Sequence, residues 1–151
     1  MWLCRLRRAA VAVGSIAFSV NALAEPVIFR HVLDDSPLDV KARPNEVETD
    51  AVKSFKETGT NAYGGNAQAL ADGRKVYQAS CQACHLPDGT GRIGPSLVGQ
   101  NWIHERAATD VGMFEILYGG ASGAMQSFSR RGMTQDDMLK VIAYVRSLRK
   151  P

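Results

Sequence analysis

Two cysteines and a histidine in one short run are the residues of this 151-residue chain best suited to chemistry. Cys81 and Cys84 are separated by two residues, and His85 follows directly. This Cys-x-x-Cys-His spacing is the attachment signature of a c-type haem, in which each cysteine forms a thioether to a porphyrin vinyl group. The imidazole that follows is then positioned to bind the iron as its proximal ligand. The motif therefore predicts one covalently bound haem c and a redox function.

A Cys-x-x-Cys pair also occurs in zinc sites and in thiol–disulfide exchange proteins. A zinc site needs a second pair of ligands, but the only other cysteine is Cys4, and the remaining histidines, His31 and His104, stand alone. A thioredoxin-like pair belongs beside an alternating strand–helix pattern, and no such alternation is visible. Haem attachment is therefore the preferred interpretation.

A haem that carries electrons usually has a second axial ligand, and methionine is a soft, neutral candidate that raises the reduction potential. Met125 lies 40 residues after His85, in a loop over residues 119–128 that contains three glycines. Glycines allow a backbone to pass close to the porphyrin, so Met125 is predicted to be the distal ligand. Met133 and His104 are the alternative ligands, and an open iron or a Met125 that only packs also remain open.

Four further residues are predicted to support the haem. Pro95 follows the motif by a short loop, and its carbonyl oxygen can accept a hydrogen bond from the second ring nitrogen of the ligating histidine. Leu97 is then expected to lie against the haem. Trp102 and Phe128 are predicted porphyrin neighbours, and the Trp102 indole N–H is a candidate donor to a haem propionate. An ordinary turn at Pro95 and a plain core position for Trp102 are the alternatives.

The first 24 residues have the pattern of a secretory signal peptide. Arg5, Arg7 and Arg8 form a positive start, residues 9–20 are apolar, and residues 22–24 form a small-residue cleavage site. The apolar stretch of twelve residues is shorter than the roughly 20 that a membrane-spanning helix needs, which disfavours the alternative of an uncleaved anchor. The sequence therefore predicts export to the periplasm.

Cleavage after residue 24 of the 151 leaves 127 residues, a length that suits one domain. It also removes three arginines, so the remaining chain has 15 basic and 15 acidic residues. Its formal net charge therefore falls from +3 to zero. A neutral chain of this kind is not expected to bind nucleic acid or an anionic membrane surface.

Residues 25–66 are predicted to form an irregular N-terminal extension. The segment contains three prolines, an acidic bias and little apolar periodicity, with a short helical turn expected at 52–57. We expect it to wrap over the domain, and a disordered linker is the alternative interpretation.

Three helices are predicted within residues 67–151, and no strand pattern rises above noise. The first leads directly into the haem motif, and Gly73 inside it indicates close approach of another helix, because glycine is otherwise unfavourable there. The last helix has apolar residues spaced by three or four. The predicted N-caps are Asn66, Thr109 or Asp110, and Thr134. The expected fold class is a small all-α domain around one haem.

With these residues placed, the chain from residue 67 to 150 resembles a class I cytochrome c. Three stretches resemble the cytochrome c-L family more closely: residues 58–65, residues 108–114, and residues 119–125 followed by 136–141. The resemblance implies the class I cytochrome c fold with His85 and Met125 as axial ligands. Some relatives also bind calcium, but no residues of this chain can be assigned to such a site.

The resemblance implies a one-electron carrier rather than an enzyme. Its donor would be a methanol dehydrogenase that uses pyrroloquinoline quinone (PQQ), and its acceptor a downstream c-type cytochrome or an oxidase. A monomer without a stable membrane anchor is expected. The alternatives are a generic cytochrome c that serves another dehydrogenase or a terminal oxidase, and a haem enzyme or gas sensor with an open iron.

Overall fold

The structure, a computed structural model, describes residues 26–99 and 101–149. The predicted signal peptide, residues 1–24, lies outside this part of the chain. Within the described residues the secondary structure is helical, and extended pairing is limited to an isolated antiparallel bridge between Arg30 and Pro37. The predicted all-α class is confirmed.

Five α-helices and one short 3-10 helix form the described part of the chain. They are α1 (Asp50–Thr58), α2 (Ala67–Ser80), α3 (Gln82–His85), the 3-10 helix Glu105–Ala108, α4 (Asp110–Gly119) and α5 (Gln135–Ser147). Helices α2, α4 and α5 lie where the sequence predicted helices, and α1 is longer at both ends than the turn predicted over residues 52–57.

The helix starts are set by polar caps that the sequence predicted. Asn66 caps α2 and Thr134 caps α5, each by accepting a hydrogen bond of 3.0 Å from the backbone N–H three residues further on. Thr109, rather than Asp110, caps α4 in the same way. Such a cap stabilises a helix by about 1 kcal/mol, because it pairs an N–H that has no partner within the helix.

The crossing of α2 and α5 forms the frame of the molecule. At the crossing, a Cβ atom on Gly73 would lie 2.1 Å from the Lys140 carbonyl oxygen and 3.1 Å from the Tyr144 Cβ. One turn further along α2, the rings of Tyr77 and Tyr144 are in contact, with centroids 5.4 Å apart. The close helix approach predicted at Gly73 is confirmed.

We expect Gly73→Ala to lower the free energy of unfolding by about 2–4 kcal/mol, because the added methyl forces the two backbones apart. This cost exceeds the gain of about 1 kcal/mol that alanine brings to a helix interior. Denaturant unfolding of the holoprotein would measure the change. Gly64→Ala is the control, since the nearest atom to a Cβ there is 3.8 Å away. Equal stability of the two variants would contradict a tight crossing.

The predicted apolar face of α5 lies in the core. Met138, Val141, Ile142 and Val145 are each at most 4% exposed, and Leu148 is partly buried against them. Because these residues recur every three or four positions, one stripe of the helix faces inward along its whole length.

The segment before α2 shares this core. The rings of Phe29 and Phe55 both contact Phe114 of α4, with centroid separations of 5.4 and 5.1 Å. Val52 of α1 is also almost fully buried. The boundary between residues 25–66 and 67–151 stays a prediction, but the described residues on its two sides pack into one cluster.

Residues 58–65, one of the stretches that resemble the cytochrome c-L family, contact α5 through Asp136. The Tyr63 hydroxyl donates to this carboxylate at 2.5 Å, the Thr49 hydroxyl donates at 2.8 Å, and the Lys140 ammonium lies 2.7 Å away. Burial alone raises the pKa of Asp136, but hydrogen bonds from Lys140, Tyr63 and Thr49 lower it below its usual value. The carboxylate is therefore a charged anchor that joins the extension to the last helix.

A second carboxylate, which is fully buried, joins the extension to α4. Glu115 is fully buried and accepts two hydrogen bonds of 2.8 Å from the Arg106 guanidinium. It also accepts a bond of 2.7 Å from the backbone N–H of Arg30. Because a buried carboxylate is tolerated only when its oxygens are paired, Glu115 holds three separate segments in one arrangement.

Candidate functional site

A cavity of about 310 Å³ lies between α2, α3, α4, α5 and the loop that follows α4. Its lining is mainly apolar, as expected for a site that takes a flat hydrophobic group and keeps water out. Seven of the predicted site residues line it: Cys81, Cys84, His85, Pro95, Leu97, Trp102 and Met125.

The Cys-x-x-Cys-His motif occupies a single helical turn. The Cys81 N–H donates to the Tyr77 carbonyl oxygen at 2.8 Å, which ends α2, and the His85 N–H donates back to the Cys81 carbonyl oxygen at 3.0 Å. This turn brings both thiols and the imidazole to the same cavity. Cys81 and His85 are buried and Cys84 is half-buried.

The two thiols are free and do not form a disulfide. Burial, with a smaller contribution from neighbouring Cys84, raises the pKa of the Cys81 thiol to about 12. A thiol held protonated at neutral pH is a poor nucleophile, which disfavours a thiol–disulfide exchange role. Within residues 26–99 and 101–149, no group of three or more His, Cys, Asp or Glu side chains is arranged to hold a metal ion. The zinc interpretation and a calcium site therefore gain no support there.

His85 is oriented by the loop that follows it. Its Nδ1–H donates to the Pro95 carbonyl oxygen at 2.8 Å, the contact that the sequence predicted. A carbonyl oxygen can only accept, so this bond assigns the ring proton to Nδ1 and leaves the Nε2 lone pair available to a metal.

Gly94 lies directly against the imidazole. A Cβ atom on Gly94 would be 2.5 Å from the His85 Cε1 and 2.9 Å from the Nε2. No side chain larger than hydrogen fits in this space while the ring keeps its orientation. Pro95 and Gly94 together therefore set the imidazole in one position, Pro95 by a hydrogen bond and Gly94 by leaving room.

Gly94→Ala is expected to displace the imidazole and to reduce the yield of protein with a correctly ligated haem by about tenfold, because changes at residues that orient a metal-binding histidine have effects of 10–100-fold. Haem content and the absorption spectrum of the purified protein would measure the effect. Gly99→Ala in the same loop is the control, because the nearest atom to a Cβ there is 3.8 Å away. A normal spectrum for Gly94→Ala would contradict the tight packing on His85.

Two residues beside His85 had no assigned role in the sequence interpretation. Leu86 has φ 62° and ψ 159°, a conformation that costs a residue with a side chain about 1–3 kcal/mol. The Tyr77 hydroxyl donates to the Leu86 carbonyl oxygen at 2.6 Å, and burial raises the pKa of Tyr77 to about 12, so the hydroxyl remains a donor. Tyr77 lies four residues before Cys81, on the same helix face, and this spacing could have identified it.

Met125 lines the cavity from the loop after α4, whereas Met133 is not among the lining residues of the described chain. Gly120 and Gly123 shape the loop with φ values of 87° and 72°, a region that favours glycine. The Ala121 N–H donates to the Met125 carbonyl oxygen at 2.8 Å and closes the loop on itself.

Two other side chains of the types that can bind haem iron, a methionine and a histidine, line the same cavity. Met113 does so from the buried face of α4, and His104 does so from the segment before the 3-10 helix. The His104 Nε2 lies 3.5 Å from the Ser122 hydroxyl of the Met125 loop. The alternative ligand His104 is thus near the cavity, at a position that touches the loop carrying Met125.

Phe128 is not among the residues that line the cavity in the described structure, and its predicted place beside the porphyrin stays a prediction. It is buried in the hydrophobic core, and its N–H donates to the Leu117 carbonyl oxygen at 2.8 Å. At this point the chain has folded back onto the end of α4. Leu97 and Trp102 do line the cavity.

Comparisons with known proteins identify the family of this chain. Residues 68–145 match a family model described as cytochrome C oxidase, cbb3-type, subunit III. Over 95% of its length the chain is 34% identical to cytochrome c-L of Methylorubrum extorquens, and it covers 73% of that protein. The chain belongs to the cytochrome c-L family.

Solved structures of this family share the fold. The crystal structure of cytochrome cL from Hyphomicrobium denitrificans matches with a TM-score of 0.77 and 36% identity, covering 83% of this chain and 75% of that one. The structure of cytochrome CL from the marine methylotrophic bacterium Methylophaga aminisulfidivorans matches with a TM-score of 0.76 and 31% identity, covering 80% of each chain. The predicted class I cytochrome c fold is therefore confirmed.

Family membership makes the chain a monohaem c-type cytochrome whose cofactor is one covalent haem c. The residues present fit that group: the cavity is apolar, two free thiols line it, and the imidazole presents an unprotonated nitrogen. None of the helices in residues 26–99 and 101–149 is long and apolar enough to cross a membrane.

Proposed function

We propose that the haem is attached through thioethers at Cys81 and Cys84, with His85 as proximal and Met125 as distal iron ligand. The observation that carries the proposal is that all four side chains line one cavity. In addition, the Pro95 carbonyl oxygen binds the His85 Nδ1–H, which leaves Nε2 as the nitrogen for the iron. When bound, the haem supplies a centre that accepts and returns one electron.

The protein's own residues orient that centre and control its surroundings. Pro95 and Gly94 keep the His85 ring in one orientation, and the apolar cavity wall excludes water from the iron. A methionine thioether favours reduced iron and raises the potential, which suits a carrier that accepts electrons. A closed iron also leaves no open position for a substrate, so the proposed role is electron transfer and not catalysis.

Met125→Ala is expected to abolish the spectral signature of sulfur ligation, to lower the reduction potential and to open the iron to carbon monoxide. Absorption spectra, redox titration and carbon monoxide binding would measure these changes. Met133→Ala is the matched control, since Met133 does not line the cavity in the described structure. His104→Ala tests the remaining candidate, and loss of the native spectrum in that variant instead would overturn the Met125 assignment. Ready binding of carbon monoxide by the wild type would favour an enzyme or sensor.

We propose that the carrier works in the periplasm as a monomer. This part of the proposal is supported by the sequence pattern of a cleavable signal peptide ending at residue 24, a neutral formal charge after cleavage, and family membership. Neither a stable membrane anchor nor nucleic acid is expected to take part.

The proposed donor is a PQQ-dependent methanol dehydrogenase, and the proposed acceptor is a downstream c-type cytochrome or an oxidase. Membership of the cytochrome c-L family supports this donor. The quinone releases two electrons and one haem takes one, so each turnover needs two cytochromes or two encounters. Ile93 and Ile103 line the cavity and are 70% and 69% exposed, which leaves this side of the site within reach of a partner.

Stopped-flow mixing of the oxidised holoprotein with reduced methanol dehydrogenase would test the donor. We expect rapid haem reduction in a transient complex. Complexes of transient redox partners are small and bury less than about 1,200 Å² of surface. Methanol dehydrogenase without PQQ is the control. Slow reduction, at the control rate, would remove this donor from the proposal.

A second candidate partner is a terminal oxidase served directly, without methanol dehydrogenase. The description of the matched family model as an oxidase subunit favours this candidate. Fast oxidation of the reduced holoprotein by a cbb3-type oxidase, together with slow reduction by methanol dehydrogenase, would support it.

A further inference from the structure

Two guanidinium groups stand at the cavity wall formed by Trp102. The guanidinium carbons of Arg149 and Arg146 lie 4.5 and 5.7 Å from the centroid of the Trp102 ring. Trp102 lines the cavity, as do Ala107 and Val145, and Val145 directly precedes Arg146 in the chain. The two cations therefore lie one side chain away from the cavity interior.

The positive charges outnumber the negative charges at this place. Arg146 donates from Nε to Asp110 at 2.8 Å and from Nη2 to the Ala107 carbonyl oxygen at 3.0 Å. Its Nη1, and the Nε and Nη2 of Arg149, are buried and have no hydrogen-bond partner among the described residues. Among the described residues, Asp110 is the one carboxylate found to pair with these two guanidinium groups, through its bond with Arg146.

Buried donors without acceptors are unfavourable, and an incompletely paired buried cation more so. Burial, with repulsion from Arg146, also lowers the pKa of Arg149, as expected for a cation that lacks a full counter-charge. The contact with the Trp102 ring compensates only in part, because a ring face attracts a cation more weakly than a carboxylate does. The site therefore has the chemistry of a carboxylate-binding position.

We propose that Arg149, supported by Arg146, binds a haem propionate at the Trp102 wall of the cavity. The proposal rests on the haem attachment at Cys81 and Cys84 proposed above. Haem brings two carboxylates into an otherwise apolar cavity, and guanidinium groups form strong, charge-assisted hydrogen bonds with carboxylates. Arg149 is then a positioning residue, which places the haem edge and stabilises the reduced state through its positive charge.

The alternative is that Arg149 only packs on Trp102. Both roles affect stability, so stability cannot separate them. A propionate partner also shifts the vibrational band of the propionate, which a packing role leaves unchanged, and the reduction potential reports the positive charge beside the haem. These two readouts use the isolated holoprotein and need no redox partner, so they are independent of the donor assignment.

The test compares Arg149→Gln, Arg149→Lys and the control Arg74→Gln, which removes the same charge from an exposed position of α2. For Arg149→Gln we expect a lower midpoint potential, equivalent to about a tenfold shift of the redox equilibrium, or ~59 mV for one electron. We also expect a shifted propionate bending band in the resonance Raman spectrum. Arg74→Gln should leave the band unchanged and the potential close to that of the wild type.

Arg149→Lys keeps the charge but loses the planar pair of donors, so it should retain most of the potential and still shift the propionate band. This variant decides the question if Arg149→Gln fails to fold. A propionate band that stays as in the wild type in both Arg149 variants would overturn the proposal, as would a potential in Arg149→Gln equal to that of Arg74→Gln. Absence of covalent haem in the wild-type protein would instead refute the haem attachment on which the proposal rests.

Discussion

The close crossing of α2 and α5 at Gly73 is the constraint on which the rest of the structure depends. The Lys140 carbonyl oxygen occupies the space where a side chain of residue 73 would begin, so the two helices meet backbone to backbone. Helix α2 runs from this crossing directly into Cys81, and α5 supplies part of the opposite cavity wall. The distance between the thiols and that wall therefore follows from the absence of one Cβ atom.

The two sides of the proposed iron site are built differently. On the proximal side, His85 is held by Pro95, and the strained Leu86 that follows is held by the Tyr77 hydroxyl. Strain of this kind persists only where neighbouring contacts over-determine the backbone, and it concentrates where a side chain must be placed accurately. On the distal side, Met125 lies on a loop whose shape depends on glycines with positive φ. A backbone hydrogen bond from Ala121 to Met125 closes this loop on itself.

Buried charge is handled in two ways in this small molecule. Glu115 is fully buried and its oxygens are paired by Arg106 and by the backbone of Arg30, so it serves structure alone. Arg149, in contrast, keeps two buried nitrogen atoms without acceptors among the described residues, beside the cavity proposed to hold the haem. Glu115, whose hydrogen-bonding partners are complete, is therefore interpreted as a structural ion. Arg149, whose partners are incomplete, is a candidate binding group.

The features that depend on local spacing could be predicted from the sequence alone. Asn66 and Thr134 cap helices because their side chains reach an N–H three residues away, and the apolar stripe of α5 follows from the helical period. The Cys-x-x-Cys-His motif likewise needs only one helical turn to bring its three side chains together. Gly73 predicted a close helix contact, because glycine is otherwise unfavourable in the interior of a helix.

The features that join distant segments became visible only in the folded chain. Phe128 follows Met125 by three residues and lies in the core, where the chain folds back on α4 in a way that no local pattern records. Tyr77 and Arg149 gained their places beside His85 and Trp102 for the same reason. Sequence spacing specifies which face of an element a side chain occupies, whereas what lies opposite depends on how separate elements pack.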